Sequence, residues 1–418
     1  MKYLDNLYTF ILYIPIYLDT SILTSLHLNM QIIPVSSPAD EHDFLMLPLS
    51  IYRNDPNWIR PLDKDIQDVF DRTKNKAFRH GTPERWILKN NNGKTIGRIA
   101  AFTSTRYKNK GDDVPVGGIG FFECIHDHSA AALLFDTAKK MLTAQGMQAM
   151  DGPINFGERD RWWGLVTEGF TEPLYCMNYN PPYYVELFEQ YGFQPFYEQV
   201  CFAMKPKEPF EKKVWDRHDA LAADKGFSSE HLRKNNLEKY ANDFVTVYNK
   251  AWAGHGGLKQ MSVEQVLLMF KKMRPVMDEK IIQFVYYHGE PIALFVNLPD
   301  LNQWFKYLGG KFGLMQKIHF LLLKQFRKNK KFTGLVFGVV PEWQGKGVDA
   351  YLIGETGKYV QSSASPYTEY EMQWIGDFNP RMLNIAAGLG EVYKSRSLYT
   401  YRYLFDRDKK FERHPVLV

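Results

Sequence analysis

From Met30 the chain alternates between stretches of strand-like and helix-like hydrophobic spacing, and its opening MQIIPV reads as a strand. Residues 96–103 (IGRIAAFT) and 116–124 (VGGIGFFEC) read as two more strands, separated by a polar loop of Lys, Asp and Gly. Residues 129–145 place Ala131, Leu134, Phe135, Ala138 and Leu142 at helical spacing, with Asp127 or Ser129 to cap the amino end and Gly146 to close it. A short strand is predicted near 147–150. Residues 155–184 are rich in Gly, Pro and aromatics and read as loop. A helix over 183–190 runs into Gly192, and 196–204 reads as a closing strand.

A polar, charged stretch, 206–226, reads as a linker, after which a similar order recurs. The pattern predicts a strand over 227–232, helices over 237–253 and 263–277, and a hairpin of 281–287 and 291–297 turning at His288-Gly289. A strand over 332–340, a helix over 348–361, a strand over 368–375, a helix over 380–389 and a last strand over 399–405 complete it. Asn180-Pro181 and Asn379-Pro380 each open a helix, the first ending in Tyr191-Gly192 and the second in Leu389-Gly390. They stand 199 residues apart (379 less 180), near half of the chain beyond Met30. Two copies of one unit is the economical reading. The fold class predicted is α+β of a three-layer kind, with mixed-sheet domains over 30–205 and 227–418.

Composition narrows the class. The 418 residues are 45% hydrophobic, 15% aromatic and 24% charged, which is globular and excludes a disordered chain. The net charge of +5, from 52 basic against 47 acidic residues, is too small an excess to mark a nucleic-acid binder, so no nucleic-acid partner is expected. Cys124, Cys176 and Cys201 are odd in number and far apart, which gives no disulfide framework and suits a reducing, cytoplasmic setting. Residues 7–18 (LYTFILYIPIYL) are apolar but broken by Pro15, and shorter than the roughly 20 residues a spanning helix takes. Lys2 is balanced by Asp5 and no Ala-x-Ala site follows, so a signal peptide is not indicated. Residues 1–29 are expected to stand outside the fold, as an upstream-start artefact or a membrane-touching tail.

The informative stretch is 336–350, VFGVVPEWQGKGVDA, which joins a β-branched strand to a helix through Gln-Gly-Lys-Gly. Gly345 and Gly347 permit positive φ and turn backbone N–H groups inward beside a helix N-terminus, an arrangement suited to phosphate or pyrophosphate. Neither GxxxxGK[ST] nor GxGxxG is present. The run Gln344-Gly345-Lys346-Gly347-Val348 resembles the coenzyme A loop Gln/Arg-x-x-Gly-x-Gly/Ala of the GNAT (Gcn5-related N-acetyltransferase) superfamily, with Asp349 where the last Gly or Ala is expected. The element order over 227–405 is similar to the GNAT order. Residues 30–205 follow it loosely, with His126-Asp127-His128-Ser129 in place of the loop. The resemblance implies a tandem GNAT-like pair whose second half binds acyl-CoA through Val339, Val340, Gln344, Gly345, Lys346, Gly347, Val348, Asp349 and Asn379.

It also implies direct attack of an amine on the thioester, with the carbonyl oxygen against backbone N–H near Val339 and Val340. The base must be a carboxylate or water. Glu371 is the first candidate, because polar and apolar residues alternate in EYEMQW; Glu123, at the end of the equivalent strand of the first half, is the second. The family's thiolate-protonating tyrosine would fall at Ala387 or Glu189, which cannot serve. Cys124, His126 and His128 alternate along a strand end but fall short of a zinc set, and no metal is expected. Arg159 to Trp163 with Tyr175, Tyr179, Tyr183 and Tyr184 suits an acceptor pocket or packing between the halves. An insertion over 301–331 carries Phe312, Met315, Ile318, His319, Leu322 and Phe326 on one stripe and a basic end. It reads as a helix that rests on an anionic membrane, walls an acyl tunnel, or packs in the core. In size and layout the chain is similar to the two-domain bacterial ceramide synthases, which implies a long-chain acyl group and a sphingoid base or other lipid amine as acceptor. A small-molecule N-acetyltransferase, an aminoacyl-transferring tandem GNAT and a degenerate, non-catalytic GNAT pair are the alternatives.

Overall fold

The computed structural model describes residues 30–109, 111–252, 260–387 and 391–416; the segment 1–29 and the end of the helix begun at Pro380 lie outside them. Among the described residues fourteen strands form one mixed sheet. The first half contributes β1 (Gln31–Pro34), β2 (Gly81–Lys89), β3 (Thr95–Ser104), β4 (Val116–Cys124), β5 (Ala149–Gly152), β6 (Leu165–Glu168) and β7 (Gln194–Met204). The second contributes β8 (Phe227–His231), β9 (Ile282–Tyr287), β10 (Glu290–Pro299), β11 (Lys331–Val339), β12 (Glu369–Met372), β13 (Ile375–Gly376) and β14 (Tyr393–Leu404). The helices are α1 (Pro38–Ile51), α2 (Asp63–Phe70), α3 (His128–Ala144), α4 (Tyr184–Tyr191), α5 (Lys212–Ala222), α6 (Leu237–Trp252), α7 (Val263–Met273), α8 (Asn302–Phe305), α9 (Leu314–Phe326), α10 (Val348–Val360) and α11 (Pro380–Ala387).

Local signals hold where they are strong. Asp127 caps α3 by accepting the Ala130 N–H, and Ala131, Leu134, Phe135, Ala138 and Leu142 are all buried in the first half's core. The 288–289 hairpin turns on two residues of positive φ, 48° at His288 and 84° at Gly289, which suits the twist of the flanking strands. Four expectations are corrected. The predicted loop over 155–184 contains β6, which pairs with β14. The strand predicted over 368–375 is interrupted, so that β12 and β13 pair with β7 separately. The last strand starts at Tyr393 and is twelve residues long. The linker contains α5, which packs on α10: His218 lies against Gly354 and Phe210 against Gly357, each ring atom 2.5 Å from where a Cβ would stand.

The two halves exchange their final strands. The sheet order is β1-β2-β3-β4-β5-β14-β7-β12-β11-β10-β9-β8. β14 thus completes the first half beside β5, β7 completes the second beside β12, and the two pair antiparallel in the middle. β14 buries Leu398, Tyr401, Tyr403 and Leu404, at about 1.5–3 kcal/mol for each large apolar side chain. Arg402 on β14 is also held by Asp151 of β5, with Nε 2.6 Å from Oδ1. Separating the halves would expose all of this, so the sheet is one structure.

Candidate functional site

Each half opens its sheet at the same place. β4 runs parallel to β5 for Val116–Gly118 only, and β11 runs parallel to β12 for Lys331–Gly334 only; beyond, the strands diverge. Just after the divergence each leading strand has an irregularity. Phe121 takes φ 49° where two residues of β4 oppose one of β3, and β11 carries an extra residue, Leu335, against β10. Such bulges bend a strand and re-aim its side chains.

In the second half the opened strand leads into the glycine loop. Gly345 (φ 75°) and Gly347 (φ 86°) are both left-handed, and no side chain caps the amino end of α10. The space about Gly345 is open, while Gly347 has only Leu221 and Arg217 of α5 nearby, at 3.7 and 3.9 Å from its Cβ position. Gln344 Nε2 donates to the Val339 carbonyl at 2.9 Å and folds the loop back on its strand. Lys346 stands 5.2 Å over the Trp343 ring. Val348 is buried beneath the loop, whereas Asp349 is half-buried in the first turn of α10. Ala350 is buried in the core and cannot replace it at the loop.

Of the two expected oxyanion donors, Val340 is corrected: its N–H is donated to the Ile292 carbonyl at 3.0 Å. Antiparallel alternation then turns the Val339 N–H to the opposite edge, toward the gap that β12 has left. Arg217 was not legible in the sequence, because its segment reads as a connector; the spacing of Val214 and His218, four apart and both buried, is the signal for its helix.

The equivalent join of the first half is closed. Asp127 occupies the amino end of α3, placing a carboxylate where an anion would bind. The Tyr184 hydroxyl fills the strand opening, accepting the Cys124 N–H at 2.9 Å and donating to Glu123 Oε2 at 2.8 Å. Glu123 Oε2 also accepts from Tyr52 at 2.9 Å, and Oε1 faces Arg98 Nη2 at 3.3 Å. Burial pushes the Glu123 carboxyl above its ordinary value despite the pull of Arg98 and the hydroxyls. Arg98 is itself buried, with its Nε unpartnered.

Arg98, Glu123 and Tyr184 line a cavity. Trp162, Tyr175, Tyr179 and Tyr184 line it, along with Asp63, Asp65 and Asn302 of α8. Trp163 is elsewhere, donating to the Tyr197 hydroxyl, and Tyr183 stacks on His126. His126 and His128 both reach Glu186 of α4, at 3.4 and 3.0 Å, while Cys124 is buried.

Glu371 is not poised as a base. It is 1% exposed, with Oε2 2.5 Å from Lys331 Nζ and Oε1 2.9 Å from Arg396 Nε. Burial alone would raise its carboxyl, but Arg396 and Lys331 hold it below the ordinary value. Two cations favour its charged form, so it takes up protons poorly. Asn379 caps α11, its Oδ1 accepting from the Met382 N–H at 3.3 Å. Its repeat partner Asn180 is buried and bonded to both backbone groups of Val166.

No family model matches the chain. It is 24% identical over 382 residues to a bacterial ceramide synthase of Caulobacter vibrioides, covering 90% of this chain and 98% of that protein. It is 25% identical over 374 residues to the protein YghO of Escherichia coli, covering 85% and 91%. Among solved structures, a tandem GNAT protein from the clavulanic acid biosynthesis pathway superimposes with a TM-score of 0.51 at 11% identity, covering 90% of this chain and 98% of that one. A glucosamine N-acetyltransferase region of a fungal multi-domain β-N-acetylglucosaminidase gives the same score at 10% identity, with this chain spanning 38% of it. The chain thus has the fold of tandem GNAT proteins.

Proposed function

We propose that the protein is an acyl-transferring enzyme that moves a long-chain acyl group from acyl-CoA to the amine of a lipid-like acceptor, such as a sphingoid base. The observation that carries the reading is the contrast between two equivalent joins. One is capped by Asp127 and plugged by Tyr184, and the other is glycine-lined, uncapped and flanked by Arg217 and Lys346. An anion such as the coenzyme pyrophosphate is favoured at the second, where N–H groups, the helix end and the cations act together. The ceramide synthase relative, matched nearly end to end, supports the lipid acceptor.

In this reading Gln344, Gly345, Lys346, Gly347, Val348 and Asp349 carry the coenzyme, and the Val339 N–H faces the thioester oxygen. Asn379 acts as a helix cap. The first-half cavity takes the chain of the acceptor against its aromatic wall; its carboxylates already have partners there, Asp63 with Arg60 and Glu123 with Arg98. The amine proton passes to a carboxylate or to water beside the thioester. The amine nitrogen bonds to the carbonyl carbon, the carbon–sulfur bond breaks, and the leaving thiolate takes a proton from water. The reaction belongs to the cytoplasm, at the membrane surface. Among the described residues no helix is long and apolar enough to cross a bilayer.

The test has two parts. Gly347→Asp puts a charge where backbone must approach phosphate, and calorimetry should find palmitoyl-CoA affinity reduced at least about tenfold, the scale of one lost charge-assisted contact. Palmitoyl- and acetyl-CoA then compete on the purified protein with a long-chain amine as acceptor. Preference for acetyl would leave a small-molecule acetyltransferase, and tight binding without turnover would leave a non-catalytic pair.

A further inference from the structure

The insertion between β10 and β11 contains α9, thirteen residues long, in which only Phe320 is buried. Leu314, Met315, Ile318, Leu321, Leu322 and Phe326 are 47–81% exposed. At about 100° per residue they span a face of roughly 140°. The tunnel and core readings of this stripe fail, because it points outward. Six large apolar side chains in contact with water on one helix are not a normal feature of a finished surface. The charge around them is one-sided: from Leu301 to Lys331 the sequence has seven Lys and one Arg, and no Asp or Glu. Lys306 and Lys331 pair with Glu172 and Glu371, but Lys317, Lys328 and Lys330 form no ion pair among the described residues.

The helix also stands beside the cavity. The Gly310 carbonyl, in the turn before α9, accepts the Asp63 N–H at 2.7 Å, and Arg60 packs on Gly310. Leu62 shares a buried cluster with Trp304, Phe305 and Phe320. Arg60, Pro61 and Asp63 line the cavity, so the segment that presents α9 is fastened to its wall.

We infer that α9 lies on an anionic lipid bilayer, apolar face inserted and lysines on the headgroups, and holds the cavity at the membrane so that the acceptor enters from the lipid. A basic segment with no acid of its own favours an anionic lipid surface over a second copy of the same chain, since two such faces would repel. The route of entry rests on the lipid-amine reading; the docking itself does not.

Flotation with phosphatidylglycerol-containing vesicles, against pure phosphatidylcholine, tests it. The whole chain should float with the former at least about tenfold better, given the charge involved. Leu321→Ser/Leu322→Ser/Phe326→Ser should abolish flotation, and Lys317→Glu/Lys328→Glu/Lys330→Glu should remove the preference for anionic lipid. All six positions are exposed, so the fold should survive. Three results would overturn the docking: no flotation of the parent chain, equal flotation of the serine variant, or a dimer in sedimentation that the serine variant dissolves. Acyl transfer to a short water-soluble amine is measured in parallel and should be unaffected in both variants. Flotation without any transfer would support docking and sink the functional reading, whereas transfer without flotation would do the reverse.

Discussion

Replacing Glu371 by Gln separates a structural carboxylate from a catalytic one. Glu371 sits between Lys331 of β11 and Arg396 of β14, and so ties three strands of the central sheet. The amide keeps the shape but leaves Lys331 and Arg396 facing a neutral group in a site that water does not reach. Removing one member of a buried ion pair costs about 3–5 kcal/mol. Arg396 keeps its bonds to the Thr171 hydroxyl at 3.1 Å and the Glu172 carbonyl at 2.9 Å, which points to the lower end, about 3 kcal/mol. For a chain of this size that is a fall in melting temperature of roughly 3–4 °C.

The pH dependence of that difference follows from the lowered carboxyl. Its contribution is fully present above the unfolded value of 4.5 and is lost as pH falls through the folded value. Melting curves of both proteins between pH 3 and 8 should therefore differ at neutral pH and converge on acidification below about 4.5. Acyl transfer by the folded variant at 20 °C should stay within about threefold of the parent, since no step requires Glu371; loss of a general base would instead cost about 10²–10⁴. An unchanged melting temperature with activity down a hundredfold would refute the reasoning and restore Glu371 as the base.

Glu123→Gln leaves Arg98 buried without its anion in the cavity wall and should raise KM for the long-chain amine about tenfold while leaving calorimetric affinity for palmitoyl-CoA unchanged. An unchanged KM would remove Glu123 from the acceptor site. Arg217→Glu, at an exposed position beside Gly347, should weaken coenzyme A binding about tenfold without changing the melting temperature. Equal affinity in both proteins would mean that α5 only supports the loop.

The coenzyme-type loop was legible because everything that makes it is contiguous. Strand, two glycines and helix lie within 336–350, and positive φ at Gly345 and Gly347 is a local property of residues without a Cβ. The same holds for the capped helix at Asp127 and the hairpin at His288-Gly289. The connector 206–226 misled because α5 is mostly charged on its outer face; what fixes it is the absence of side chains at Gly354 and Gly357, more than 130 positions away. A surface helix with few apolar residues cannot declare its partner in its own pattern.

Pairing choices were further out of reach. β7 and β14 have the alternation that any central strand has, so nothing local says that each completes the other half's sheet. That choice depends on which edge is free when the chain collapses. The surroundings of the two glutamates were fixed in the same way. Glu371 is neutralised by Lys331 and Arg396, while Glu123 is enclosed by Tyr52, 71 residues earlier, and Tyr184, 61 later. A carboxylate's sequence neighbours set its strand, but its basicity is set by burial and by the charges that folding brings to it. The sequence by itself determined the periodic elements, the glycine loop and the basic apolar stripe of α9; the strand exchange, the acceptor cavity and the outward turn of that stripe came only with tertiary structure, because each is a relation between segments that no single segment encodes.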